Sequence, residues 1–252
     1  MFFSCFLLLL ATNVLSAGRV PQPEERIIGG DYIKIEQAPW QVSLQFYGQH
    51  ACGGSIYSKD IIITAAHCRF TSEGVRLEAE DFKVRVGSAL SNSDGTLVEV
   101  AAIRSHEWYE NITHTNDIAV MRLSEPLEFS NKVQPISWAG ENPAPGTPAF
   151  TSGWGAISAE LYFENGIPEV WYEYSIHLKG LRRQINLSYR PDLITAGSFE
   201  QTSCVGDSGG PLIVNEKLVG VVSSGQKLCH VQATFTSVPY FREWLINAIK
   251  SI

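Results

Sequence analysis

No apolar run in this sequence approaches the roughly 18–20 residues that a membrane-spanning helix requires. Positive charge is scarce as well. Nineteen Lys and Arg stand against 26 Asp and Glu, a formal net charge of −7. A sequence-independent hold on nucleic-acid phosphates or an anionic membrane is therefore not expected. There is no C-x-x-C and no paired-His spacing, which argues against a structural zinc site. No internal repeat stands out. Charged residues make up 18% of the chain against 44% hydrophobic, which excludes a disordered polyampholyte, a collagen-like fibre and a coiled coil. With 252 residues, one large or two small domains can bury a dense core.

What is present begins with a short apolar block. Phe2, Phe3, Phe6 and the leucines at 7–10 precede small residues ending at Ser16-Ala17. Residues 1–17 read as a secretory signal, although no Lys or Arg supplies the usual n-region charge. Residues 18–26, GRVPQPEER, are polar and Pro-rich and cannot pack; they end in Arg26, and Ile27-Ile28-Gly29-Gly30 opens an apolar segment. Export would make disulfides the default for the cysteines that remain after Cys5 leaves, namely Cys52, Cys68, Cys204 and Cys229. Four cysteines allow three pairings. The sequential one closes two short loops, each contributing about 3 kcal/mol on the chain-entropy estimate. Sequons at Asn111 and Asn186 fit an exported surface and are glycosylation candidates.

Beyond residue 30, short runs rich in Val, Ile, Tyr and Phe recur between turn signals. Strands are expected at 41–47, 54–57, 60–64, 82–86, 97–103, 118–123, 149–153, 170–178, 211–214, 217–223 and 234–238. One stretch, 239–252, has a helical period: Phe241, Trp244, Leu245, Ala248 and Ile249 form a single apolar stripe. This is an all-β pattern of sandwiches or barrels with a closing helix. The Pro- and Gly-rich residues 141–148 lie where two halves would join.

Three segments carry chemistry. I-T-A-A-H-C at 63–68 places His67 at the end of a strand, and N-D-I-A-V at 116–120 places Asp117 at the entrance of another. G-D-S-G-G-P at 206–211 sets Ser208 among glycines, where backbone N–H groups are unobstructed. A serine hydroxyl is a weak nucleophile until a base takes its proton, and the base needs an orienting carboxylate. G-D-S-G-G also satisfies G-x-S-x-G. The α/β-hydrolase order of acid and His after the Ser is not met, because no Asp follows Ser208 and His230 lies too near.

With I-I-G-G at 27–30, P-W-Q-V-S-L at 39–44, C-G-G-S at 52–55 and S-G-W-G at 152–155, the chain resembles the chymotrypsin-fold serine endopeptidases, the trypsin-like family. The resemblance runs from Ile27 into the C-terminal helix. It implies two six-stranded antiparallel β-barrels packed face to face (about 27–140 and 141–238) with a C-terminal α-helix at 239–252. It also implies a Ser-His-Asp mechanism whose template and magnitudes are the family's own. His67 would be general base, Asp117 its orienting carboxylate and Ser208 the nucleophile, with Gly206 and Ser208 N–H groups as oxyanion hole. Activation after Arg26 would free Ile27 to pair with Asp207. The implied disulfides are Cys52–Cys68 and Cys204–Cys229. Thr202, six residues before Ser208, would form the base of the specificity pocket, with Ser203, Ser223, Gly225 and Ala233 around it.

The sequence departs from the family at several points. Ser224 stands where Trp is usual, and Thr195 occupies half of a disulfide that many members carry. The 229–235 loop is short. Gly87-Ser88-Ala89-Leu90 lacks the Glu-rich loop of calcium-binding members, so no cofactor or metal is expected. Thr202 replaces the Asp of the trypsin branch, so basic side chains are expected to be disfavoured at the cleaved position. Expected partners are protein or peptide substrates, an activating protease and protein protease inhibitors, with no nucleic acid or membrane and a monomeric state. The alternative is an inactive homologue acting as a binding or regulatory protein, although His67, Asp117 and Ser208 are all present.

Overall fold

The computed structural model describes residues 30–156, 179–186, 190–198, 202–224 and 232–252. The expected signal and propeptide, Arg26, Ile27, the expected strand at 170–178, Gly225 and Cys229 lie outside the described residues. The described strands are β1 (Asp31–Tyr32), β2 (Gln41–Phe46), β3 (Gln49–Ile56), β4 (Ile61–Thr64), β5 (Phe82–Val86), β6 (Thr96–Ser105), β7 (Ala119–Leu123), β8 (Pro148–Gly153), β9 (Lys179–Asn186), β10 (Leu193–Ala196), β11 (Pro211–Val214), β12 (Lys217–Ser224) and β13 (Ala233–Ser237). A helix, α1 (Arg242–Ser251), ends the chain.

Strands β2-β3-β4-β7-β6-β5 form a closed barrel. The order β9-β10-β13-β12-β11-β8, closed by the β8–β9 pairing, makes a second six-stranded barrel, and β1 adds to β9. Every pair of the described strands is antiparallel. The fold is two six-stranded antiparallel barrels with a C-terminal helix.

Local sequence explains most of this. In β5, F-K-V-R-V, Phe82, Val84 and Val86 are buried and Lys83 is exposed, the period of a strand with one wet face. In β4, I-I-I-T, every residue is buried, so both faces are covered. Strand β3 begins earlier than its apolar residues indicate. Tyr47 and Gly48 take φ of 50° and 76°, a two-residue hairpin loop that pairs Phe46 with Gln49 and carries the polar Gln49 and His50 into the ladder. Strands β1, β9 and β10 are not anticipated from sequence. The first is two residues long, β10 is four, and K-G-L-R-R-Q-I-N in β9 shows little apolar alternation.

Helix α1 follows the second barrel yet joins the core of the first. Phe241, Leu245 and Ala248 are buried in one cluster with Val42, Ile62, Val120 and Met121. Arg122 of β7 fixes the helix end: its Nε donates to Ile252 O at 3.0 Å and one Nη to Ile249 O at 3.3 Å. Its other Nη pairs with Asp60.

Candidate active site

The apolar strand β4 ends at Thr64, and the buried Ala65 and Ala66 lead into a single 3-10 turn, His67–Arg69. A disulfide from Cys68 to Cys52 of β3, with Cα atoms 6.1 Å apart, fixes that turn to the barrel wall. Asp117 lies just before β7. The preceding Asn116 has φ of 55°, a left-handed conformation that Asn tolerates better than most residues, and it turns the chain inward.

Asp117 is 0% exposed and accepts from both barrels. Its Oδ1 takes the His67 backbone N–H at 2.8 Å, and its Oδ2 takes His67 Nδ1–H at 2.7 Å and the Ser223 hydroxyl at 2.6 Å. Thr236 of β13 donates to the Asp117 carbonyl at 2.8 Å. Burial by itself would push this carboxyl up. Coulombic attraction to the His67 ring when it is protonated, the nearby His114 imidazole and the hydrogen bonds from His67 and Ser223 outweigh it and hold the pKa far below the usual carboxylate range. A carboxylate only accepts, so the proton of a neutral His67 sits on Nδ1 and Nε2 keeps a lone pair.

Ser208 follows Gly206, whose φ is 97°, and precedes Gly209, whose φ is 76°. At Gly209 a Cβ would lie 2.3 Å from Thr64 Oγ1 and 2.5 Å from Gly53 O, so only glycine lets this turn press against the first barrel. The Gly53 N–H donates to Ser208 O at 2.7 Å, across the barrels. Among the described residues neither the Gly206 N–H nor the Ser208 N–H has a protein acceptor, so both can receive a developing oxyanion. No hydrogen bond joins Ser208 Oγ to His67 here; His67 Nε2 lies 3.9 Å from Cys68 Sγ. Such bonds often tighten only once substrate is bound.

Asp207 is buried beneath this turn. Its Oδ1 accepts from Gly155 N at 2.8 Å and its Oδ2 from Cys204 N at 3.0 Å. A Cβ on Gly153 or Gly155 would lie 2.1 or 2.5 Å from the Asp207 carboxyl group, which explains the glycines flanking Trp154. Cys204 is disulfide-bonded. Thr202 is fully buried, with its hydroxyl donating to Ser203 O at 3.3 Å; Ser203 and Ala233 are buried too. Asn111 is exposed, whereas Asn186 Nδ2 donates to Gly197 O at 3.0 Å.

Two contributors were not found from sequence. His50 reaches from β3 to the Gly206 carbonyl, with Nε2 to O at 2.8 Å, while Nδ1 meets Ser43 Oγ at 2.8 Å. The carbonyl can only accept, so Nε2 carries the proton and Ser43 donates to Nδ1. Burial drops the His50 pKa to about 4, partly opposed by the bond to Gly206, and keeps the ring neutral. His114 is the second: its Nδ1 lies 3.4 Å from Asp117 Oδ2, and its ring centroid is 5.1 Å from that of His67. The Asp117 contact raises the His114 pKa against burial. Neither carries a local motif. Only the β2–β3 register and the turn before Asp117 bring them in.

The family model described as Trypsin matches residues 27–245. The chain is 39% identical to Trypsin alpha of Drosophila erecta, over 93% of this chain and 92% of that protein. It is 38% identical to Trypsin alpha-4 of Lucilia cuprina over the same shares. The crystal structure of a scabies mite inactivated protease paralogue, S-D1, superposes with a TM-score of 0.77 at 24% identity, covering 89% of this chain and 98% of that one, a likeness of fold. The chain belongs to the trypsin family of serine endopeptidases.

Proposed function

We propose that the protein is an extracellular zymogen, cut after Arg26, which then hydrolyses peptide bonds on the carboxyl side of apolar residues through an acyl-enzyme. The observation that carries this reading is the Asp117–His67 pair. A buried carboxylate holding Nδ1–H leaves the Nε2 lone pair to act as base. Ser208 Oγ attacks the substrate carbonyl carbon as its proton passes to His67 Nε2. The oxyanion takes the Gly206 and Ser208 N–H groups, each such donor worth about 3 kcal/mol of barrier. Collapse breaks the C–N bond, and the departing amine takes the proton from Nε2. Water then attacks the ester by the same route and restores Ser208. Throughout, Asp117 stabilises the imidazolium without taking its proton.

Thr202 supports the apolar preference. A buried neutral hydroxyl cannot offset the desolvation of a guanidinium or ammonium, which costs several kcal/mol unless paired. Activation follows the family pattern: the new Ile27 ammonium pairs with Asp207 and draws Gly206 into place. Partners are then protein substrates, an activating protease and protein inhibitors.

The test compares kcat/KM of the cut enzyme on matched peptides ending in Arg, Lys, Phe, Tyr, Leu and Ala. The uncut chain and an Arg26→Gln variant serve as zymogen controls, and a fluorophosphonate titrates Ser208. Apolar substrates should lead. Fastest turnover at Arg or Lys overturns the Thr202 reading, full activity of the Arg26→Gln chain overturns the zymogen, and a cut chain that neither labels nor cleaves is a binding protein.

A further inference from the structure

His114 is not needed for the steps above, and its placement is unusual. It has φ of 50°, and the turn around it is braced by Glu110 N to Thr115 O at 3.1 Å and by Asn116 Nδ2 to Trp108 O at 2.9 Å. That turn holds its Nδ1 sealed from solvent beside Asp117 Oδ2, at 3.4 Å but without the alignment of a hydrogen bond. A buried ring nitrogen that has a charge contact but no aligned hydrogen bond costs free energy unless something else uses it.

We propose that His67, His114 and Asp117 form an inhibitory site for a divalent transition metal ion of the zinc type. One nitrogen from each ring and one Asp117 oxygen lie within 4.8 Å of one another. Around a tetrahedral zinc ion with bonds of about 2.0–2.2 Å, neighbouring ligands sit roughly 3.3–3.5 Å apart. The 3.4 Å between His114 Nδ1 and Asp117 Oδ2 already matches that spacing. The His67 ring, now 2.7 Å from the same oxygen across the Nδ1 proton, either turns to present its Nε2 lone pair or loses the Nδ1 proton to solvent and shifts by well under an ångström. Two imidazoles and a carboxylate suit zinc, copper or nickel rather than calcium or magnesium, and leave a fourth position for water. The His67 and His114 side chains are 16% and 30% exposed, whereas His114 Nδ1 and Asp117 are sealed, so an ion enters only as the rings turn outward. Nothing in catalysis gains from the ion. It occupies the base that Ser208 needs and holds it in the wrong partnership, so binding and peptide hydrolysis exclude each other. The inhibitory half of this proposal rests on His67 acting as base; the binding half does not.

The two halves are therefore measured separately. Zn2+ is titrated calorimetrically into the full chain carrying Ser208→Ala, which cannot digest itself, and Co2+ reports coordination through its visible d–d bands. One ion per chain should bind, His114→Gln should weaken it at least about tenfold, and His106→Gln, at a histidine whose ring stacks on Trp244, should leave it unchanged. On the chain with all histidines intact, long-range nitrogen NMR should show Zn2+ shifting the ring nitrogens of His67 and His114. Absence of those shifts, or equal weakening by His106→Gln, overturns the site whether or not His114→Gln folds. The cut wild-type enzyme is then assayed with Zn2+ and with chelator, and each variant is compared with its own metal-free rate. Wild type should be inhibited reversibly and His114→Gln should resist. An active enzyme indifferent to Zn2+ overturns the inhibitory proposal alone. An inactive chain that still binds Zn2+ through His114 leaves the site standing and overturns the proposed function instead.

Discussion

Acid should loosen this protein through His50 before it reaches the carboxylates. In the unfolded chain this imidazole takes its proton near the ordinary 6.5, whereas in the folded chain it does so only near about 4. Between those values the unfolded state binds more protons, so stability rises with pH and is lost as pH falls from 6.5 toward 4. From pH 7 to pH 4.5 the two-pKa expression gives a loss of roughly 2.4 kcal/mol, and about 2 kcal/mol after allowing for the partial exposure of the ring. For a domain of this size that corresponds to a fall in Tm of about 4–8 °C. His106 is also lowered by burial and adds to the slope, while His114 is raised and opposes it. The measurement is therefore a comparison. Denaturant unfolding of the Ser208→Ala chain is followed from pH 7 to 4.5 with His50 intact and with His50→Gln, whose amide can still meet Ser43 and Gly206. The variant should lose about 2 kcal/mol of the pH dependence while keeping the rest. Parallel curves for the two chains would refute a neutral His50 held by the Gly206 carbonyl.

Two further outcomes follow from close contacts. Gly155→Ala places a Cβ 2.5 Å from the Asp207 carboxyl, so Asp207 must give up the bonds from Gly155 and Cys204; kcat should fall about 10²–10³-fold as the Gly206 N–H proposed for the oxyanion hole is displaced, and unchanged steady-state kinetics would contradict this. Ser223→Ala removes a 2.6 Å hydrogen bond to a buried carboxylate and should cost about 1.5–3 kcal/mol of unfolding free energy; a loss below about 0.5 kcal/mol in chemical denaturation would show that water replaces the hydroxyl.

The barrels and the three segments bearing His67, Asp117 and Ser208 were legible because each signal is local. Strand β5 announces its wet and dry faces in five letters, and Gly209 announces a turn that no larger residue could make. Ser223 entered only through the family resemblance, as a residue around the pocket, and its bond to Asp117 came with the structure. What escaped reading depends on register. His50 stands 156 residues from Gly206 and reaches its carbonyl because two residues of positive φ set the β2–β3 hairpin. His114 reaches Asp117 by a backbone turn whose sequence, T-H-T-N, carries no periodicity. Strand β9 is held by partners on both sides, β8 and β10, rather than by any pattern of its own.

The attachment of helix α1 has a consequence for biosynthesis. The strands of the first barrel leave the ribosome early, but the side chains that finish its hydrophobic cluster, Phe241, Leu245 and Ala248, are made only after the strands of the second. Arg122 likewise waits for Ile249 and Ile252 to accept its donors. The nascent first barrel therefore spends the whole synthesis of the second with an open apolar flank, the condition under which a partly made chain needs chaperone cover. Synthesis of the helix, rather than of either barrel, is the event that seals it, and a chain broken off before Phe241 carries its damage in the part translated first.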